Sequence, residues 1–378
     1  MHRSSGIHHE TRRAVMTVNT TSRKPAPTQS NNGSWTRFSS LVEAELLDFV
    51  DKNRAQAGKI SQSFPLMWDH IESALQGGKR LRPRMVHLAY TAFDGVDPDR
   101  CARMAAAFEL LHTALVVHDD AIDRDFVRRG QPTIGAHYRD HALEQGLSTP
   151  DAEHFGHSAS IIAGDLLLAG ALRLAGRAAA GLPQAEALTD AVHDAVFASA
   201  AGELEDVLLS VSMDRPDLQD VLDMESLKTA GYSFEAPLKA GALLAGVDPG
   251  QAEALAAIGR RIGVAYQIVD DVLGTFGEPD TTGKSAESDL REGKRTVLTA
   301  FAAEADGFDD LLAAFRRGEA EADQVRAALK DCGADTRAQD LARSLVDDAL
   351  HESRKLPVHS AARADLEAVC LHVLTRGN

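Results

Sequence analysis

A chain of 378 residues in which 56 Asp and Glu outnumber 40 Lys and Arg carries a formal charge of −16, which repels nucleic acid and anionic membranes and excludes broad electrostatic binding to either. Its three cysteines, Cys101, Cys332 and Cys370, are too few and too scattered for a disulfide framework or a zinc site and fit a reducing cytoplasm. Length by itself points to about two or three domains, a soft expectation that the pattern along the chain overrides.

The first 35 residues are rich in Ser, Thr, Arg, His and Asn, contain Pro25 and Pro27 and hold almost no apolar surface, so they read as a disordered polar extension. Their low acidity is shared with organelle transit peptides, Met16 could serve as a downstream start, and no apolar segment for secretion is present. Over residues 36–378, Ala- and Leu-rich periodicity predicts helices at 40–54, 66–74, 81–93, 99–119, 159–180, 185–212, 218–244, 251–274, 296–305, 309–317, 319–332, 336–354 and 361–375. No alternating strand or hairpin signal accompanies them. One all-α domain is the economical reading, and the unequal helix lengths disfavour a solenoid. The most apolar segment, 161–182, carries Asp165, Arg173 and Arg177 and reads as a buried helix rather than a membrane span.

Ahead of the 81–93 helix, Gly77-Gly78-Lys79-Arg80-Leu81-Arg82-Pro83-Arg84 sets four bases within six residues after a flexible diglycine. An isolated basic run is most often a solvated turn. Basic charge at a helix N-terminus opposes the macrodipole, however, so an anionic partner such as phosphate explains it better. The 99–119 helix runs into Asp119-Asp120-Ala121-Ile122-Asp123, where Asp119 and Asp123 share one face at i and i+4 and Asp120 is turned away. Holding both carboxylates ionised calls for a cation, and hard oxygen ligands suit Mg²⁺ completed by water and substrate phosphates. A solvated acidic helix end is the plain alternative, against which the apolar Val116, Val117, Ala121 and Ile122 argue. A second pair, Asp270-Asp271, interrupts the 251–274 helix. For both pairs divalent metals, rather than salt bridges, are the expected compensation. Arg128 and Arg129 follow the first pair; Lys284, Arg291, Lys294 and Arg295 follow the second. A diphosphate requires this alternation, since metals bridge its oxygens and guanidinium groups bind them in bidentate fashion.

The segments GGKRLRP (77–83), ELLHTALVVHDDAID (109–123) with RRGQPT (128–133), GD (164–165), KTAGYSFEAPL (228–238) and YQIVDDVLG (266–274) with GK (283–284) resemble the trans-isoprenyl diphosphate synthases (polyprenyl synthetases). They occur in the family's order and at fitting separations, over nearly everything from about residue 40, and their texture is most similar to the bacterial geranylgeranyl diphosphate synthases. The resemblance implies a bundle of long helices around a deep central apolar cavity, usually as a homodimer. The implied reaction condenses isopentenyl diphosphate with an allylic diphosphate (dimethylallyl, geranyl or farnesyl). It places Lys79, Arg82, His112 and Arg129 on isopentenyl diphosphate, and Arg128, Lys228, Thr229, Gln267 and Lys284 on the allylic diphosphate. Asp119 and Asp123 match metal ligands of the first acidic motif, and Asp270 matches the ligand of a third Mg²⁺ across the cavity. Asp119, Asp123, Arg128, Lys228 and Asp270 are then the catalytic set. Taken singly, His112 would be a core histidine, and Lys228 or Gln267 a solvated helix residue.

Three positions depart from the family pattern. Gly274 stands where many relatives have a third aspartate, leaving Asp270 and Asp271 to act with water or Glu278; Tyr266 replaces a usual phenylalanine and adds a hydroxyl that needs a partner. Glu203, in AAGELED (200–206), occupies a frequent glutamine position without a reason visible in the sequence. A helical turn rises about 5.4 Å, close to an extended isoprene unit, so a growing tail descends from Asp119 past Ala114 and Leu115, then Leu111, then Phe108 with Ala107. Relatives that stop at C15 tend to carry aromatics at the first step; here it is open, so C20 is the expected stop and Ala114→Phe is expected to shorten the product towards C15. Leu111, Leu115 and Phe108 are equally readable as a core stripe. Alternative readings are a C15 or longer-chain synthase, a class I terpene cyclase and a non-catalytic partner subunit. Gly274 sits where the cyclase signature needs Ser or Thr, and a partner subunit would be expected to have lost acids or bases that this chain keeps.

Overall fold

Local chemistry starts several of the long helices in the same way. Asp97, Ser148 and Asp248 each accept a backbone N–H of the following turn, and a proline occupies the first turn, where its missing N–H costs nothing. The computed structural model describes residues 29–211, 217–277, 290 and 294–376. The first half comprises α1 (Gln29–Ala57), α2 (Phe64–Leu75), α3 (Leu81–Ala92), α4 (Pro98–Ile122), α5 (Ile134–Glu144), α6 (Thr149–Ala179) and α7 (Ala185–Val211). It continues with α8 (Leu218–Glu225), a π-helical stretch (Ser226–Glu235), α9 (Ala236–Leu244) and α10 (Pro249–Phe276). The shorter α11 (Val297–Ala302), α12 (Phe308–Arg316), α13 (Ala322–Asp331), α14 (Ala334–Ser353) and α15 (Ser360–Thr375) complete the chain. The all-α expectation holds, and one contiguous core extends from Phe38 in α1 to Val373 in α15.

Three details correct the sequence expectations. The polar extension expected through residue 35 ends earlier, because α1 begins at Gln29 and Trp35 packs on the core beside Phe38 and His87; residues 1–28 lie outside the described residues. A hairpin does occur: Val127–Arg128 pairs antiparallel with Gln131–Pro132. It turns through Arg129 and Gly130 at φ 52° and 71°, a left-handed pair that tight hairpins require. The ribbon is too short for alternation to announce it. Helix α5 is also unforeseen, since its buried face is only Ile134, Gly135, Ala136 and Ala142.

Residues 218–244, expected as one helix, form a continuous rod whose middle widens to i→i+5 bonding, with the Ala236 N–H donating to the Gly231 carbonyl. Pro237 lies just beyond and has no N–H for the carbonyl four residues back, so the wider register meets the proline where a regular α-helix would be broken. Helix α6 is the one helix among the described residues long and apolar enough to cross a membrane, and half of its most apolar window is buried against the protein. The GD motif belongs to its packing. A Cβ at Gly164 would fall 2.2 Å from the His118 ring, so only glycine lets α4 and α6 close together there.

Candidate active site

A cavity of about 850 Å³ opens between α4, α7, α10 and the π-helical stretch, closed at one side by the 77–82 segment and at another by the end of α15. Its rim is charged. On α4, Asp119 accepts from Arg128 Nη2 at 2.6 Å, while Arg128 Nε donates to Asp120 at 2.5 Å. Burial pushes the Asp120 carboxyl up to about 6, with Arg128 pulling the other way. Asp120 is thus turned from Asp119's cavity face, as the spacing predicts, and serves to hold Arg128.

Lys228 joins two walls. Its Nζ lies 2.6 Å from Asp206, 3.0 Å from Glu203 and 3.4 Å from Asp119. Burial alone would lower its pKa, but these three carboxylates outweigh burial and raise it, so the ammonium stays charged. Glu203, unexplained from sequence, is one of its anchors. The π-helical stretch places Lys228, Thr229 and Tyr232 on the cavity wall.

A second group forms around the basic motif. Arg82 Nη2 donates to Tyr232 at 3.1 Å and to Ser233 at 2.8 Å, and the Tyr232 hydroxyl lies 3.3 Å from His112 Nδ1. Burial, then the charges of Arg82 and Arg129, hold His112 well below the usual imidazole value, so it is neutral. Of the four bases in the motif, Lys79 and Arg82 border the cavity. Arg80 turns away at φ 49° and is tied to Glu43 at 2.6 Å, to Glu109 at 2.8 Å and to the Leu75 carbonyl at 2.8 Å. Arg84 instead lies over the Trp35 ring at 5.8 Å.

Across the cavity, Asp270 meets Arg376 at 3.0 Å, and the same guanidinium lies 4.0 Å from the Tyr266 ring centroid. Burial raises the Asp270 pKa, with Arg376 opposing. Asp271 borders the cavity as well but has different partners. It is buried, accepts from Gln267 Nε2 at 2.8 Å and neighbours Glu225, whose pKa is driven well up by burial and by the Asp271 charge. The Tyr266 hydroxyl thus has its partner in Arg376.

The compensation expected from metals alone is corrected. Arg128 and Lys228 already offset Asp119, Lys294 lies 2.7 Å from Asp123, and Arg376 offsets Asp270. No group of three His, Cys, Asp or Glu side chains among the described residues could hold an ion alone. Asp119, Asp123 and Asp270 nonetheless fit Mg²⁺, which uses only one or two carboxylates and takes its remaining ligands from water and phosphate. Of the expected site residues, Lys79, Arg82, His112, Asp119, Arg128, Arg129, Lys228, Thr229, Gln267 and Asp270 all border the cavity. Asp123 stands beside it through Lys294, and Lys284 and Glu278 lie outside the described residues. Among the expected tail-floor residues, Leu115 borders the cavity, whereas Leu111 and Ala114 are fully buried in the core. Sequence reasoning missed Tyr232, Asp206 and Arg376 and treated Lys294 only as one flanking base. The acidic pair Glu203 and Asp206, one turn apart on α7, is the signal that could have revealed the Lys228 anchor.

The polyprenyl synthetase family profile matches residues 65–332. Geranylgeranyl diphosphate synthase of Sulfolobus acidocaldarius is 36% identical over 59% of this chain and 62% of its own length. Geranylfarnesyl diphosphate synthase of Aeropyrum pernix is 33% identical over 77% of this chain and 87% of its own. In three dimensions, the crystal structure of geranylgeranyl pyrophosphate synthase from Corynebacterium glutamicum, complexed with isoprenyl diphosphate and magnesium, superposes with a TM-score of 0.82 at 28% identity, covering 90% of this chain and 99% of that one. With the profile match spanning well over half of the sequence and the helical cavity carrying acids and bases on opposed walls, the chain belongs to the polyprenyl synthetase family, the trans-isoprenyl diphosphate synthases.

Proposed function

We propose that the protein condenses isopentenyl diphosphate with an allylic diphosphate to an all-trans product, with geranylgeranyl diphosphate (C20) as the main product. The observation that carries the reading is that the cavity joins two groups: the bases Lys79, Arg82 and Arg129 near His112, and a mixed set in which Arg128, Lys228 and Lys294 pair with Asp119 and Asp123, acids that could share a metal with a diphosphate. Two diphosphates can be held at once, with their prenyl groups between. Asp119, Asp123 and Asp270 would hold Mg²⁺, which supplies charge stabilisation to the departing diphosphate when bound. Lys228 and Thr229 orient the allylic diphosphate, and the allylic C–O bond breaks with its electron pair leaving on that group. Lys79, Arg82 and Arg129 fix isopentenyl diphosphate so that its double bond supplies the pair for the new C–C bond. The C2 proton then leaves to the released pyrophosphate, restoring a double bond. Neutral His112 and Tyr232 orient Arg82 without adding charge near the cation. Leu115, a non-aromatic residue on the cavity wall one turn from Asp119, supports growth beyond C15.

Mass spectrometry of products from isopentenyl diphosphate, Mg²⁺ and each of the C5, C10 and C15 primers tests the reading. A prenyl diphosphate one or more C5 units longer than the primer is expected. Hydrocarbon released from farnesyl diphosphate without isopentenyl diphosphate would instead make the protein a cyclase, and inactivity with every primer would make it a partner subunit.

The enzyme is further proposed to be a cytoplasmic homodimer without a membrane span. Helices α6 and α7 expose Ile161, Ile162 and Leu172 on one and Phe197, Leu204 and Val211 on the other, the last three between 59% and 73% exposed. Two neighbouring helices with such outer faces support burial against a second copy. The double substitution Phe197→Glu and Leu204→Glu is expected to convert a dimer to a monomer in light scattering, while Ile60→Glu, at an isolated exposed site, leaves it unchanged. A monomeric wild type at micromolar concentration would refute the assignment.

A further inference from the structure

Below the charged rim the cavity is bordered by α4 and α7. Both Asp119 and Asp206 bond Lys228, so they mark a common level on the two helices. Leu115 lies one turn below that level on α4, at about 6 Å along the axis, whereas Ser199 lies about 10 Å below it on α7. Each of the two also borders the cavity. Ser199 is 2% exposed, and its hydroxyl has no hydrogen-bond partner. The hydroxyl therefore lies against the cavity space, which a larger side chain at this position would fill. One turn further down the same face of α7 is the small Ala195, while α4 is closed by the fully buried Leu111, about 12 Å below Asp119, and by Phe108, about 16 Å below it at the depth of Ala195.

We propose that Ser199 on α7 sets the product length, its small side chain leaving room past Leu115 for the tail and its position marking where the tail tip stops. The proposal rests on the prenyl-elongating function above and moves the length control from the α4 stripe alone to the facing helix. Ala114 is less suited to that role because its side chain is fully buried in the core.

The test is product analysis of the full-length Ser199→Val and Ser199→Leu enzymes with dimethylallyl and farnesyl diphosphates, Mg²⁺ and isopentenyl diphosphate. Both variants are expected to shift the product at least one C5 unit shorter, changing the ratio of long to short product by about tenfold or more, with the first condensation onto dimethylallyl diphosphate retained. Ala55→Leu, at an exposed position of α1 away from the cavity and from the α6 and α7 outer faces, is expected to leave the distribution unchanged. A purely structural defect would slow all primers alike without shortening the product and would overturn the proposal. An unaltered product distribution from both Ser199 variants would also overturn it. If the leucine unfolds the protein, valine, with one carbon fewer, decides the question. A wild-type enzyme that elongates no primer would overturn the underlying function and this proposal with it.

Discussion

Asp119→Ala is expected to lower kcat/KM for the condensation by about 10³-fold or more while leaving the protein folded. Asp119 is the carboxylate at which both walls meet, accepting from Arg128 at 2.6 Å and lying 3.4 Å from Lys228. Its loss does not strand either cation, because Arg128 retains Asp120, and Lys228 retains Asp206 and Glu203. The substitution therefore removes a metal and diphosphate contact without leaving an uncompensated buried charge, which would be strongly destabilising. Asp271→Ala should show the opposite balance. Asp271 borders the cavity too, but it accepts from Gln267 and neighbours Glu225, so its removal takes the acceptor from a partly buried amide and is expected to cost about 1 kcal/mol of stability with a smaller catalytic effect. Steady-state kinetics and urea unfolding, measured together on both variants, separate the two. Equal catalytic losses would mean that the second acidic pair is misassigned.

The difference between Asp270 and Asp271 marks where sequence reading reaches its limit. Periodicity finds the helix and adjacency finds the pair, but a helix turns about 100° per residue, so neighbours face different surroundings that only packing defines. Asp119 and Asp123 were legible because their relation is local, four residues along one helix. Lys79 and Arg80 are the contrasting case. They carry the same charge in adjacent positions, yet Arg80 is drawn away by Glu43 and Glu109, which come from α1 and α4. Arg376 is the least legible of all, since it meets Asp270 from the end of α15, 106 residues along the chain, and no local pattern announces such a contact. Glu203 looked like an unexplained charge for the same reason: its partner, Lys228, lies on another helix.

Gly202→Ala is expected to damage the site almost as severely, although Gly202 carries no functional group. A Cβ placed there would fall 2.2 Å from the Lys228 nitrogen, 2.6 Å from its Cα and 2.8 Å from the Leu227 carbonyl carbon. All three are backbone atoms, so no side chain can swing aside. Either α7 or the π-helical stretch has to move by about 1 Å to reach ordinary contact, and a misplacement of that size can cost about 10²-fold in rate. Lys228 would carry the displacement directly to its contacts with Asp119, Glu203 and Asp206. Helix propensity works in the other direction, since alanine is favoured over glycine by about 1 kcal/mol in a helix interior. Gly176→Ala on α6, where a Cβ meets nothing within 4 Å, isolates that gain and should melt at or slightly above the wild-type temperature with unchanged kinetics. The Gly202 variant should fall about 10²-fold in kcat/KM with the allylic primer and melt lower than the Gly176 variant. Wild-type kinetics from Gly202→Ala would show that the close approach of α7 to Lys228 is not what positions the ammonium for the diphosphate.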